Sequence, residues 1–150
     1  MQQVIFEIAG NEYGLDIRYI NGIETVSQVT PVPNSPVNVL GILNLRGNVL
    51  PVYSLRARFN LPEVNDTNET KLIVTKCANT EVAFKADKVI GIENFAEKEI
   101  LETPKVLINS QTRFFTNVLN RNGKLIMLID QDVIFDPKEA EILENLRQQD

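Results

Sequence analysis

Asn44-Leu45-Arg46-Gly47-Asn48-Val49-Leu50 and, further along the chain, Asn120-Arg121-Asn122-Gly123-Lys124-Leu125-Ile126 share one pattern: an Asn, a Gly three residues on, then an apolar run. The Asn122-Gly123 step is the strongest hairpin signal in the sequence, and it predicts strands over Phe114–Leu119 and Lys124–Ile129. Arg46-Gly47-Asn48 reads as a tight turn into a strand at Val49–Tyr53, with Gly47 admitting φ > 0. A second echo keeps the same order: Ile20-Asn21-Gly22-Ile23-Glu24 resembles Val89-Ile90-Gly91-Ile92-Glu93. Two echoes in register predict two similar lobes of short, twisted strands. Closing such strands into barrels hides the edges that invite aggregation.

Outward from these motifs the chain is mostly strand and turn. Val4–Ile8 and Tyr13–Ile17 flank Gly10-Asn11 as a hairpin, and Ile20–Val26 follows. Three prolines exclude regular structure from Pro31-Val32-Pro33-Asn34-Ser35-Pro36. Val39–Leu43 is apolar and short, and its periodicity assigns it to no element. Pro51 cannot donate to a ladder, which places Val49–Tyr53 at a sheet edge or a bulge. Polar Asn60–Thr70 reads as a surface loop. Leu72–Cys77 and Glu81–Phe84 are strands around Ala78-Asn79-Thr80, with Val89–Ile92 continuing the second. Asn94–Gln111 is left unassigned. At the C-terminus, Asp136 as N-cap, Pro137 at the first helical position and Glu139 as capping-box carboxylate predict a helix over 136–150. Its apolar stripe is Ala140, Ile142, Leu143, Leu146 and the stem of Arg147.

With 150 residues, of which 43% are hydrophobic and 23% charged, the chain can bury a core without disulfide or metal staples. Its net charge of −5 and scattered basic residues exclude a line of neutralised phosphates, so neither nucleic acid nor an anionic membrane surface is expected as partner. The opening Met1-Gln2-Gln3-Val4 lacks the basic and apolar regions of a signal peptide, and the apolar runs are far below the ~20 residues that span a bilayer. No direct membrane insertion and a cytoplasmic location are expected.

The chemistry on offer is sparse. No histidine occurs, which removes the commonest general base, zinc ligand and nucleophile partner. No glycine-rich phosphate cradle is present. Cys77, beside Lys76, reads as a half-buried structural cysteine, a lowered thiol pKa being the alternative. Asp130 and Asp132 read as a solvated strand exit rather than as part of a hard-cation site, which needs six or more oxygens. Glu93, Glu97, Glu99 and Glu102 form an acidic surface cluster rather than a pair of catalytic carboxylates across a cleft. No catalytic residue, metal site or cofactor is therefore expected.

The run from Asn44 to Phe59 resembles the Asn-Leu-Arg-Gly-x-x-x-Pro-(Val/Ile)-x-x-Leu signature of CheW-like domains. Glu12-Tyr13-Gly14-Leu15-Asp16-Ile17 with Ile20 and Ile23, the proline-rich Pro31–Pro36, and Val82–Val89 are similar to further segments of that family in the same order. The resemblance covers Val4 to Ile134. It implies a mostly β fold: two SH3-like five-stranded β-barrel lobes, interlocked within one domain over residues 1–150, with a groove between them and a C-terminal α-helix. It implies a non-catalytic adaptor that couples the cytoplasmic tip of chemoreceptors to the regulatory domain of the histidine kinase CheA.

By the same resemblance Ile17, Ile20 and Arg46 are the receptor-binding residues, Gly47 and Asp87 are structural turn positions, and the kinase-binding residues stay unassigned. From the residues alone Ile17 and Ile20 fit a core as well as a contact, and Arg46 fits a solvated turn. A delocalised, weakly hydrated guanidinium nevertheless suits contact with a helical hairpin. Two departures stand out. Gly22 occupies a position where the family often has a receptor-coupling Glu, so that polar contact is absent or supplied differently. Ala86 replaces a usual valine, which predicts a shallower groove there. A CheW-like scaffold module of a related two-component pathway and a small β-barrel enzyme are the rival readings.

Overall fold

The computed structural model describes residues 1–78, 80–109 and 112–148, with residues 143–148 described by their backbone. Eleven strands and two helices follow in the order β1 (Gln2–Ile8), β2 (Asn11–Asp16), β3 (Ile20–Thr25), β4 (Val39–Leu45), β5 (Asn48–Ser54), α1 (Leu55–Arg58), β6 (Lys71–Cys77), β7 (Thr80–Ala86), β8 (Lys88–Asn94), β9 (Ile100–Glu102), β10 (Phe115–Arg121), β11 (Lys124–Ile129) and α2 (Pro137–Gln148). They form a five-stranded sheet, β3-β6-β7-β5-β4, and a six-stranded one, β8-β1-β2-β11-β10-β9. The fold is mostly β and SH3-like, as expected.

The two sheets have one plan. Each runs from an edge strand (β3 or β8) through an antiparallel hairpin (β6–β7 or β1–β2), across one parallel pairing, to a second hairpin (β5–β4 or β11–β10). In the first sheet the chain leaving β3 bridges back to β4 through Thr30 and Ile42. In the second, the chain leaving β8 makes β9 and pairs with β10. The sixth strand is thus a longer version of the contact that curls the first sheet. The β1–β2 hairpin comes from the N-terminus yet lies inside the sheet of the C-terminal strands.

Both echoes have a structural cause. Asn44 Oδ1 accepts a bond from the Gly47 N–H at 3.0 Å, and Asn120 Oδ1 accepts one from Gly123 at 3.0 Å. Each turn has two central residues at positive φ, Arg46 at 50° with Gly47 at 89°, and Asn122 at 53° with Gly123 at 86°, the signs a type I′ hairpin needs. In the other echo, register slips at matching places: between Ile20 and Gly22 on β3, and between Val89 and Gly91 on β8.

β1, β2, β6 and β7 are buried on both faces through their middle residues. Leu72, Val74, Leu43, Leu50 and Val52 fill the first lobe, and Ile5, Leu119, Ile126 and Leu128 fill the second. The alternate residues Val4, Phe6, Tyr13, Ile73, Val82 and Phe84 turn the other way into a larger core shared by both sheets. A strand buried on both faces loses the period-two alternation.

Three expectations are corrected. Pro51 lies in an interior strand, because β5 sits between β4 and β7, and the slip in its pairing falls farther along, where Leu40 has no partner on β5. Ile42 bonds Thr30 with both its N–H and C=O, so it asks nothing of Pro51 opposite, and the β7 pairing begins only at Val52. The missing donor costs no ladder bond. Val89–Ile92 does not continue β7 but forms β8 in the other sheet, where it pairs with β1, since the chain crosses over at Asp87. One lobe has six strands rather than five.

The helix begins where its caps predict. Asp136 Oδ1 accepts from the Glu139 N–H at 2.8 Å, and Glu139 Oε1 accepts from the Asp136 N–H at 2.9 Å. Oε1 also accepts from the buried Tyr53 hydroxyl at 2.7 Å, which ties α2 to the shared core. Ala140 packs on that core and Ile142 is partly exposed. The side chains of Leu143, Leu146 and Arg147, and residues 149–150, lie outside the described set.

Candidate partner-binding face

β3 is an edge strand, and the residues singled out for receptor contact lie along it. Ile17 sits in a single helical turn (Ile17–Tyr19) before β3, where the Asp16 carboxylate accepts from the Arg18 N–H at 2.9 Å and caps the turn. Ile20 opens β3. Both side chains are partly buried and pack against the shared core. Arg46 belongs to the far end of the strand. It leaves the β4–β5 turn, 71% exposed, and its Nη2 donates to Glu24 Oε1 at 3.1 Å. Glu24 is four residues beyond Ile20, which at strand rise separates the two ends by about 13 Å. The structure brings Ile17 and Ile20 together and sets Arg46 apart, with exposed Ile23 between. Glu24 Oε1 lies 3.5 Å from where a Cβ on Gly22 would stand.

The two structural positions sit where chain direction changes. Gly47 has φ of 89°, and a Cβ there would meet nothing within 4 Å, so backbone conformation and not space selects glycine. Asp87 occupies the crossover from β7 to β8. Its carboxylate takes a bidentate bond from Arg56 of α1 and accepts from the Ala9 N–H at 2.9 Å, while its own N–H donates to the Glu7 carbonyl. Burial works to raise the Asp87 carboxyl, but the Arg56 guanidinium and the Ala9 N–H outweigh it, and its pKa lies below the usual aspartate value. Neighbouring Ala86 is fully buried in the shared core, so the smaller side chain changes packing rather than the depth of a groove.

One hollow opens between the lobes and a second lies within the six-stranded lobe. The first, of about 750 Å3, is lined by Tyr13, Phe59, Phe114, Phe115 and Met127, with Arg58 stacked over Phe114 at 4.6 Å. The other, of about 270 Å3, is more polar and includes Asp16, Arg18 and Tyr19, which surround Ile17 in sequence. Ile17, Ile20 and Arg46 line neither. The groove between the lobes is aromatic, and Ile17, Ile20 and Arg46 lie apart from it, near the exposed edge of β3.

The remaining reactive groups serve structure. Cys77 is fully buried rather than half-buried, and burial first, then the charges of Asp132 and Asp130, push its thiol pKa up. Asp130 Oδ1 accepts from the Asp132 N–H and Asp132 Oδ1 from the Ala78 N–H, which shapes a turn. Glu93 and Glu99 both engage Arg121, at 3.4 and 3.3 Å. Among the described residues no group of three acidic, cysteine or histidine side chains is placed to hold a metal, and no helix is long and apolar enough to cross a membrane.

The family model of the CheW-like domain matches residues 2–139. The chain belongs to the CheW-like family. This CheW-like chain is 28% identical over 140 residues to the chemotaxis protein CheW of Bacillus subtilis, a match covering 93% of this chain and 90% of that one. It superimposes on the crystal structure of the scaffolding protein TtCheW from Thermoanaerobacter tengcongensis with a TM-score of 0.81 at 26% identity, over 90% of this chain and 87% of that one. A stretch of the chemotaxis protein CheA of Borreliella burgdorferi is 30% identical over 95 residues, 63% of this chain and 10% of that protein. The CheW-like chain is a chemotaxis coupling adaptor.

Sequence reasoning missed Glu24, Arg56 and the aromatic groove. Glu24 was legible only as the end of an echo, because its partner is 22 residues away. Arg56 lay inside the signature run, but its pairing with Asp87 across the fold leaves no local pattern.

Proposed function

We propose that this CheW-like adaptor works without catalysis in the cytoplasm and joins the helical-hairpin tip of a chemoreceptor to the regulatory domain of a CheA-type kinase. The observation that carries the receptor half is the presentation of Arg46. A rigid turn fixes its backbone and leaves its guanidinium exposed beside an edge strand with apolar Ile23. Ile17 and Ile20 lie at the near end of that strand and add apolar surface there. Such a surface suits a helical hairpin, which needs apolar contact and a few polar groups to set register.

For the kinase half, the likeness between this chain and a stretch of a CheA supports pairing of similar lobes through apolar surface. Val49, Leu125, Ile92 and Val106 are each more than half exposed and available for it. The test is co-sedimentation with a receptor signalling fragment, with and without kinase. Capture by the fragment, and recruitment of kinase only when this protein is present, is the expected result. Failure of the protein to pellet with the fragment refutes the receptor half.

A further inference from the structure

The two lobes use an arginine near the same hairpin in opposite ways. Arg121 is consumed by its own lobe: Nε meets Glu99, Nη1 meets Glu93, Nη2 donates to the Asn94 carbonyl, and the guanidinium lies over the Phe95 ring at 4.1 Å. Arg46 makes one bond among the described residues, to Glu24, which leaves four of the five guanidinium N–H groups open. Glu24 is the more buried member, 28% exposed against 71% for Arg46, so the carboxylate is the fixed partner and the guanidinium the presented one. Gly22 leaves the space beside that carboxylate clear.

We propose that Glu24 is a positioning residue for receptor contact, holding the Arg46 guanidinium so that its open N–H groups face an oxygen acceptor on the receptor hairpin. The backbone of Arg46 is already held by the bond from the Gly47 N–H to Asn44, so Glu24 fixes the only part still free to move. A side chain ordered before association loses less entropy on binding, and the advantage appears as affinity. The inference rests on the receptor reading above.

The experiment titrates a purified receptor signalling fragment into the full chain and into Glu24→Gln, Arg46→Ala and the double variant. Melting curves and 15N spectra of the Arg46 guanidinium accompany each titration. Glu24→Gln should weaken binding by about threefold to fivefold, the upper range for an exposed ion pair, with an unchanged melting point. It should also release restricted rotation of the guanidinium, and it should have no further effect once Arg46 is alanine. Equal loss in both backgrounds, unchanged or tighter binding by Glu24→Gln, or an unaltered guanidinium spectrum overturns the positioning role and leaves the receptor reading standing. Undiminished binding by Arg46→Ala removes the receptor reading and this inference together.

Discussion

The guanidinium of Arg56 closes on both oxygens of Asp87, with Nε 3.0 Å from Oδ1 and Nη2 2.5 Å from Oδ2. Arg56 follows β5 in the first lobe, while Asp87 also holds the Ala9 N–H of the β1–β2 turn in the second. One carboxylate therefore fastens the two lobes.

Replacing Asp87 with Asn should destabilise the fold by about 1–3 kcal/mol, since a partly buried guanidinium loses its charged acceptor. The pH dependence follows from the direction of the shift. With the folded-state pKa below the unfolded one, the contribution is present above the unfolded aspartate value near ~3.9 and fades as pH falls through the folded value. Urea midpoints taken from pH 7 to pH 3 should converge for the parent and Asp87→Asn. A constant gap across that range would assign the effect to packing.

Gly47→Val should cost about 1–3 kcal/mol, because a β-branched residue resists φ of 89°. Thermal unfolding reads this directly. A melting point within a degree of the parent would mean that the turn relaxes to another geometry.

Tyr53→Phe removes the hydroxyl that donates to Glu139 and leaves a buried carboxylate oxygen with one bond fewer. A loss of about 1–2 kcal/mol is expected, and the backbone amides of α2 should exchange faster. Unchanged amide protection would show that the capping box alone seats the helix.

Kinase association through apolar surface should vary little with ionic strength, since salt screens exposed charges and leaves apolar burial intact. Dissociation constants at low and high salt test this. A loss of a hundredfold or more would make charge the driving force.

Arg46→Ala should weaken receptor binding by roughly 1–3 kcal/mol through loss of charged hydrogen bonds. Folding should shift by less than about 0.5 kcal/mol, because an exposed ion pair contributes little to stability. Titrating each partner separately should leave kinase affinity near the parent value. If kinase affinity falls while receptor affinity holds, the arginine belongs to the other interface.

The legible part of the fold was its local grammar. Asn122-Gly123 and Arg46-Gly47 announced their hairpins because φ > 0 restricts residue choice, and Asp136 with Glu139 announced α2 because a capping box needs neighbours three apart. Long-range pairing left no such trace. Val89–Ile92 reads as more of β7 until the crossover at Asp87 is seen, and Pro51 reads as an edge residue until Thr30 is found on the far side of Ile42. The same limit applied to the site. Arg46 stood out within its motif, but Glu24 meets it only when the first sheet curls, and Phe59 meets Phe114 and Phe115 only across lobes.

The N-terminal hairpin, seated among the C-terminal strands, sets the order of events on the ribosome. β1 and β2 emerge first, but their neighbour β11 ends at Ile129, so they wait while the whole first lobe is translated. During that interval Val4, Ile5 and Phe6 have no partner strand beyond their own hairpin. A nascent chain arrested after Ala86 holds every strand of the five-stranded sheet together with an orphaned apolar hairpin. Such a species exposes apolar surface of the kind that invites aggregation, and the second lobe closes only once β11 has emerged.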